Sequence, residues 1–174
     1  MSDRHLVLIG LMGAGKSTVG RRCAQLLDRP FVDTDDLVLD LAGMPFPEFF
    51  ATFGEPAFRE LEKRAVADVC ESPQSLVVAC GGGATNDPEN RRRLRDAGVV
   101  VWLRASPEVL AARVGDGTDR PLLAGDPRGS LVRLAAMREP AYEAAAHCVV
   151  DAAGTDVDAV VGSVLAAFAE AALA

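Results

Sequence analysis

The chain is poor in the residues that build metal and disulfide sites. It has two histidines and four cysteines (Cys23, Cys70, Cys80 and Cys148), scattered with no C-x-x-C pair. That spacing argues against a zinc site and a disulfide scaffold, and it points to a reducing compartment in which the thiols serve as small buried hydrophobes. Positive charge is scarce as well. Eighteen Lys and Arg against 25 Asp and Glu leave a formal charge of −7, which argues against nucleic acid as the main partner, although a basic pocket can exist inside an acidic shell. Long hydrophobic runs are missing. The first apolar stretch is too short for a signal peptide, and the tail from Val164 onward is too short and too interrupted to cross a bilayer. There is no internal repeat, no linker and no obvious exposed apolar stripe. The expectation is one domain over residues 1–174, cytoplasmic and monomeric, with no membrane partner.

What remains is ordinary for a globular protein, 49% hydrophobic and 25% charged, and it is ordered. Apolar runs alternate with helical patterns along the whole length. Strands are expected at 5–9, 30–33, 74–80, 99–103 and 147–150. Helices are expected at 16–27, 37–41, from Pro47, at 55–70, 88–96, 107–114, 130–145 and 157–173, with Ser106 as an N-cap. Continuous apolar strands between helices mean an α/β fold with a central five-stranded parallel sheet covered on both faces. In such sheets ligands sit beyond the carboxyl ends of the strands. That places three stretches at one cleft: 10–18, 33–35 and 81–83.

The first of these is Gly10-Leu-Met-Gly-Ala-Gly-Lys16-Ser17-Thr18, which follows Leu6-Val-Leu-Ile9 and opens a helix. Strand, glycine-rich turn and helix with G-x-x-x-x-G-K-[ST] at the turn is a phosphate-binding loop. Glycines let the backbone wrap close to a phosphate, and its N–H groups then point inward with the positive helix terminus behind them. Gly13, Ala14, Gly15 and Thr18 supply that cradle. Lys16 can reach the outer phosphates, and the Ser17 hydroxyl suits Mg²⁺. The rival is a dinucleotide loop, since Gly13 and Gly15 form a G-x-G and Asp33 lies about twenty residues on. That fingerprint needs a third glycine where Thr18 stands, and it has no use for Lys16 and Ser17.

Asp33 and Asp35 have two readings. They are a helix N-cap and a first-turn acid, or one carboxylate serves Mg²⁺ through water while the other accepts from a substrate hydroxyl. Arg59, in Phe58-Arg59-Glu60-Leu61-Glu62, is on its face a solvated partner for a neighbouring glutamate. Gly81, Gly82 and Gly83 after a buried strand add no packing, and a close backbone approach to a ligand explains them better than a turn. Residues 115–128 read as a loop carrying Arg120, which is what a closing lid over a phosphate site would look like. Arg138 follows in Met137-Arg138-Glu139-Pro140.

Taken together, the phosphate loop with Val19-Gly20, Asp33-Thr-Asp35, Phe53-Gly-Glu55 with Phe58-Arg59, Gly81-Gly-Gly83, Arg120-Pro-Leu-Leu123 and Arg138-x-Pro140-x-Tyr142 resemble the shikimate kinases from about residue 5 to 151. The resemblance implies a three-layer phosphate-loop kinase fold like that of the nucleoside-monophosphate kinases. It also implies ATP-dependent phosphorylation of the shikimate 3-hydroxyl, on the way to aromatic amino acids, with Mg²⁺. Carried over, Gly13 to Thr18 bind ATP phosphates, Ser17 and Asp33 serve the metal, and Asp35 binds the shikimate hydroxyls and takes the proton. Arg59 and Arg138 clamp the carboxylate, with a contact from Gly82 between Gly81 and Gly83. Arg120 reaches from the lid, Arg113 lies against adenine, and Phe50 and Phe58 wall the pocket. The loop at 151–158 lacks the arginine or proline frequent on the adenine side of that family. The competing functions are a kinase of a related hydroxy acid such as gluconate, and a non-catalytic ligand-binding module. A degenerate module would have lost Lys16, Asp35 or a clamp arginine, and all are present.

Overall fold

The computed structural model describes residues 3–116 and 121–173. Five parallel strands, β1 (His5–Ile9), β2 (Phe31–Asp33), β3 (Val77–Ala79), β4 (Gly98–Arg104) and β5 (Cys148–Asp151), form one sheet in the order β2-β3-β1-β4-β5. Among the described residues, seven helices connect and follow them: α1 (Lys16–Leu27), α2 (Thr34–Ala42), α3 (Phe46–Cys70), α4 (Pro88–Ala97), α5 (Pro107–Val114), α6 (Pro127–Ala145) and α7 (Val157–Leu173). The order reverses direction after β2, so right-handed crossovers put α1 on one face with α7 and send α3, α4 and α6 to the other. β1 is buried along its length and β4 along all but its last residue, which is why both read as unbroken apolar runs.

Register sets the functional edge. Leu8 pairs with Ala79 and with Val101, and Asp33 pairs with Ala79. The chain therefore leaves β1, β2 and β3 at the same level, delivering the three suspected stretches side by side.

The element boundaries differ from the sequence reading for identifiable reasons. α2 begins at Thr34 rather than 37, because the Asp33 carboxylate caps it by accepting from the Asp35 N–H at 3.0 Å. β3 is ladder-bonded over three residues only. α6 starts at Pro127 under an Asp126 cap, and a short 3₁₀ turn, Pro121–Leu123, lies inside the expected loop. α3 runs through the two expected helices, but Gly54 at its middle has φ 80 and ψ 173. The halves before and after Gly54 are separate helical pieces joined at a kink.

Two apolar clusters result. The larger one holds the sheet, α1 and α7 together. The smaller one lies between α2 and α3, where Val38, Phe49, Phe58 and Ala65 are buried against Phe46 and Phe50. Among the described residues, no helix is long and apolar enough to cross a membrane.

Candidate active site

The phosphate loop has the backbone its sequence requires. Gly13 and Gly15 sit at φ 82 and 92, and a Cβ on Gly13 would come within 2.9 Å of the Val114 side chain. L side chains rarely adopt this region, so glycine is needed at both points. Gly15 is also the N-cap of α1 and makes no side-chain cap bond, which leaves the first N–H groups of the helix to the hollow of the loop. Lys16 curls back over that hollow, its Nζ donating to the carbonyls of Gly10 at 2.8 Å and Leu11 at 3.1 Å.

Next to the loop, the Ser17 hydroxyl donates to Asp33 Oδ2 at 2.7 Å. One Asp33 oxygen thus caps α2, while the other accepts from Ser17 beside the phosphate loop. No cluster of three or more His, Cys, Asp or Glu side chains able to hold a metal is present among the described residues. One hydroxyl beside one carboxylate fits Mg²⁺, which retains waters and completes its shell with phosphate oxygens rather than with an all-protein cage.

A cleft of about 730 Å³ joins these parts. It is lined by Met12 to Val19, by Asp33, Asp35, Cys80 and Gly82, and by Arg113 with Ala152, Gly154, Thr155, Val157 and Val160. Arg113 is already engaged. Its guanidinium donates to the carbonyls of Gly13 at 3.2 Å, Ala152 at 2.7 Å and Gly154 at 2.9 Å, fastening the loop after β5 to the phosphate loop.

The glycine run explains itself by contact. A Cβ on Gly81 would lie 2.5 Å from Asp35 Oδ1, one on Gly82 2.7 Å from Arg138 Nη1, and one on Gly83 2.5 Å from Arg59 Nη1. Each glycine makes room for a different polar side chain, and so Asp35, Arg138 and Arg59 gather around one turn. Arg59 is indeed paired on its own helix, with Glu62 at 2.9 Å and Glu55 at 3.2 Å. Glu62, however, is only 4% exposed. Burial pulls the Arg59 guanidinium down, and the charge and hydrogen bond of Glu62 more than restore it, leaving it above its ordinary value. Burial pushes the Glu62 carboxyl up, against the pull of Arg59.

Arg138 is 5% exposed, and its buried Nη1 has no hydrogen-bond partner among the described residues. An orphaned guanidinium nitrogen is expensive unless something supplies an acceptor, and a carboxylate is the natural fork partner. Arg138, buried with an open donor, and the half-buried Arg59 thus stand with Asp35 around the same glycine turn.

Phe58 and Phe50 stack at 4.6 Å between ring centroids inside the α2–α3 cluster, and neither lines the cleft itself. Arg120 lies outside the described residues. Glu62 is not among the candidates that the sequence offers. The fold turns it inward, on the face of α3 shared with Phe58, Ala65, Val66 and Val69, where a carboxylate needs a partner. Thr34 and Tyr142, also outside those candidates, are nearly fully buried beside the glycine turn.

Comparison with known proteins shows the family. The shikimate kinase family profile matches residues 12–169. A shikimate kinase of Dechloromonas aromatica is 46% identical over 149 residues, 85% of this chain and 81% of that protein. Among solved structures, shikimate kinase from Acinetobacter baumannii in complex with shikimate superposes with a TM-score of 0.88 at 34% identity, covering 93% of this chain and 90% of that one. A gluconokinase from Sinorhizobium meliloti, at 24% identity and a TM-score of 0.69 over 99% and 96%, shares the fold. The chain belongs to the shikimate kinase family.

Proposed function

We propose that this protein transfers the γ-phosphoryl group of ATP to the 3-hydroxyl of shikimate, giving shikimate 3-phosphate and ADP on the route to aromatic amino acids. The observation that carries the acceptor assignment is the orphaned, buried Arg138 Nη1, set with Arg59 and Asp35 around one glycine turn beside a phosphate loop. A small acid with one carboxylate and three hydroxyls is bound by that set. The arginines fork the carboxylate, and Asp35 accepts from the hydroxyls.

In the reaction the substrate 3-oxygen attacks the γ-phosphorus while the bond to the β,γ-bridging oxygen breaks. The hydroxyl proton passes to Asp35, and ADP carries away the electron pair. Phosphoryl transfer of this kind needs positioning and neutralisation of charge more than covalent help. The loop N–H groups from Gly13 to Thr18 hold the phosphates. Lys16 exchanges its contacts on the Gly10 and Leu11 carbonyls for phosphate oxygens. Ser17, and Asp33 through water, would hold Mg²⁺, which neutralises the phosphate oxygens when bound. Arg113 borders the adenine end, Arg120 adds charge from a lid at about 115–128, and Phe50 and Phe58 back the acceptor pocket.

The test is ADP release from ATP and Mg²⁺ with shikimate, quinate, gluconate or AMP offered separately. Release with shikimate alone is expected. Lys16→Ala is expected to lower turnover by about 10²–10³-fold, the scale for losing one preorganised charge-stabilising group, with an unchanged melting temperature. Release with a different acceptor overturns the substrate assignment, and silence in every case from a folded, ATP-binding protein overturns the enzyme.

A further inference from the structure

The Gly81–Gly83 turn carries the acceptor-binding groups, yet three consecutive glycines are the least self-ordered backbone a protein can use. Something must hold it. Part of the answer is backbone. The Cys80 N–H donates to the Leu8 carbonyl at 3.0 Å, Ala84 N–H to the Gly81 carbonyl at 3.0 Å, and Asn86 N–H to the Gly83 carbonyl at 3.1 Å. The remaining anchors are two side chains from different elements. Thr34 Oγ1, in the first turn of α2, accepts from the Gly81 N–H at 2.8 Å. The Tyr142 hydroxyl, on α6, donates to the Gly82 carbonyl at 2.7 Å. Both residues are 1% exposed.

These two bonds fix the peptide groups on either side of the one that carries the Gly82 N–H. That N–H meets no acceptor among the described residues, and Gly82 lines the cleft. Tyr142 also stands one helical turn after Arg138, so it shares the face of α6 that presents the guanidinium. Its ring rests against Trp102 at 5.6 Å between centroids, a packing role that does not need the hydroxyl. Burial pushes the Tyr142 phenol up to about 12, so it remains a donor at any working pH.

We propose that Thr34 and Tyr142 are positioning residues for acceptor binding: together they clamp the glycine turn so that the Gly82 N–H and the Arg138 guanidinium meet the substrate carboxylate in fixed register. This rests on the shikimate reading of the site. Both hydroxyls bond to the glycine turn, so the effect falls on the acceptor substrate. Thr34 lies between the two aspartates of Asp33-Thr-Asp35, which ties the acceptor-binding turn to the strand end that faces Ser17.

Three variants test the clamp: Tyr142→Phe, which keeps the ring, Thr34→Val, which keeps the shape, and Thr34→Ser, which keeps the hydroxyl. Tyr142→Phe and Thr34→Val are expected to raise KM for shikimate about ten-fold, the order expected from orphaning one buried hydrogen-bonding group. KM for ATP should stay within about two-fold, and Thr34→Ser should restore the wild-type value. A merely structural role would move both KM values together with the melting temperature, and that result overturns the proposal. So does an unchanged shikimate KM in both variants. Amide hydrogen exchange at Gly81, measured on the protein without substrate, reads the clamp directly. Thr34→Val should accelerate it, and unchanged exchange defeats the clamp whichever acceptor the wild-type enzyme phosphorylates. Failure of wild-type turnover with shikimate, alongside accelerated Gly81 exchange in Thr34→Val, defeats the substrate assignment and leaves the clamp standing.

Discussion

A glycine whose absent side chain would collide with a functional group is a different kind of glycine from one at a turn. Gly83 is of the first kind. Its φ of −98 is compatible with other residues, and the nearest atoms a Cβ would meet belong to the Arg59 guanidinium, the closest at 2.5 Å. The tip of an arginine can swing, so Gly83→Ala should leave the fold almost untouched and charge its cost to the guanidinium's position. Misplacing one charged hydrogen-bonding group costs the bound substrate about 1.5–3 kcal/mol, which predicts KM for shikimate raised by about ten-fold or more with KM for ATP and the melting temperature unchanged. Steady-state kinetics in each substrate checks it, and an unchanged shikimate KM would remove Arg59 from the clamp. The type and order of these residues were legible from sequence, because the phosphate loop, the aspartate pair and the glycine run carry chemical meaning in their spacing. Glu62 was not, since a glutamate on a helix rich in glutamates reads as solvated until the fold shows the α3 face turned inward. The pairing of each glycine with its own partner depends on three elements meeting, which no local pattern records.

At the scale of elements, α3 shows how local chemistry and tertiary packing divide the work. Pro47 at its start and Phe53-Gly54-Glu55 at its middle mark two helices in the sequence, and the structure joins them across a residue at φ 80, ψ 173. That conformation is almost exclusive to glycine. Gly54 has open space around it, its imaginary Cβ reaching only Pro56 Cδ at 3.7 Å, so the demand comes from the backbone alone. The kink lets Phe46, Phe49 and Phe50 fold against Phe58 and Val38, closing the small cluster behind the acceptor site. Gly54→Ala is therefore expected to destabilise the protein by about 1–3 kcal/mol. At about 2–4 °C per kcal/mol for a chain of this size, calorimetry should show a clear fall in melting temperature. A shift within one degree would mean that the kink has another conformation open to it. Strand content was legible because buried parallel strands are apolar throughout. Strand order was not, since it follows from which crossovers reverse, and the ends of β2 and β3 were blurred because ladder bonding stops before the apolar run does.

Over the whole molecule, the two histidines serve the sheet rather than the chemistry. His5 Nδ1 accepts from the Leu76 N–H at 3.0 Å at the entry to β1, and His147 Nδ1 accepts from the Val100 N–H at 3.0 Å just before β5. Each adds a rung where a ladder begins, and each must be unprotonated at Nδ1 to do so. Burial lowers both from 6.5, helped by Arg29 near His5 and by Arg95 and Arg4 near His147. In the window between these lowered values and 6.5 the unfolded chain binds more protons than the folded one, so stability rises with pH there. The histidine contribution is thus complete above about 6.5 and is lost as pH falls through the folded values. Glu62 acts in the opposite sense, because its raised carboxyl takes up a proton in the folded state first. The comparison that isolates the histidines is denaturant unfolding of the wild type and of His5→Gln/His147→Gln at pH 7.5, 6.5, 5.8 and 5.2. The wild type should lose stability across this series more steeply than the double variant. Equal slopes would show that neither ladder depends on a neutral imidazole, and that the acid sensitivity of the fold lies with its carboxylates.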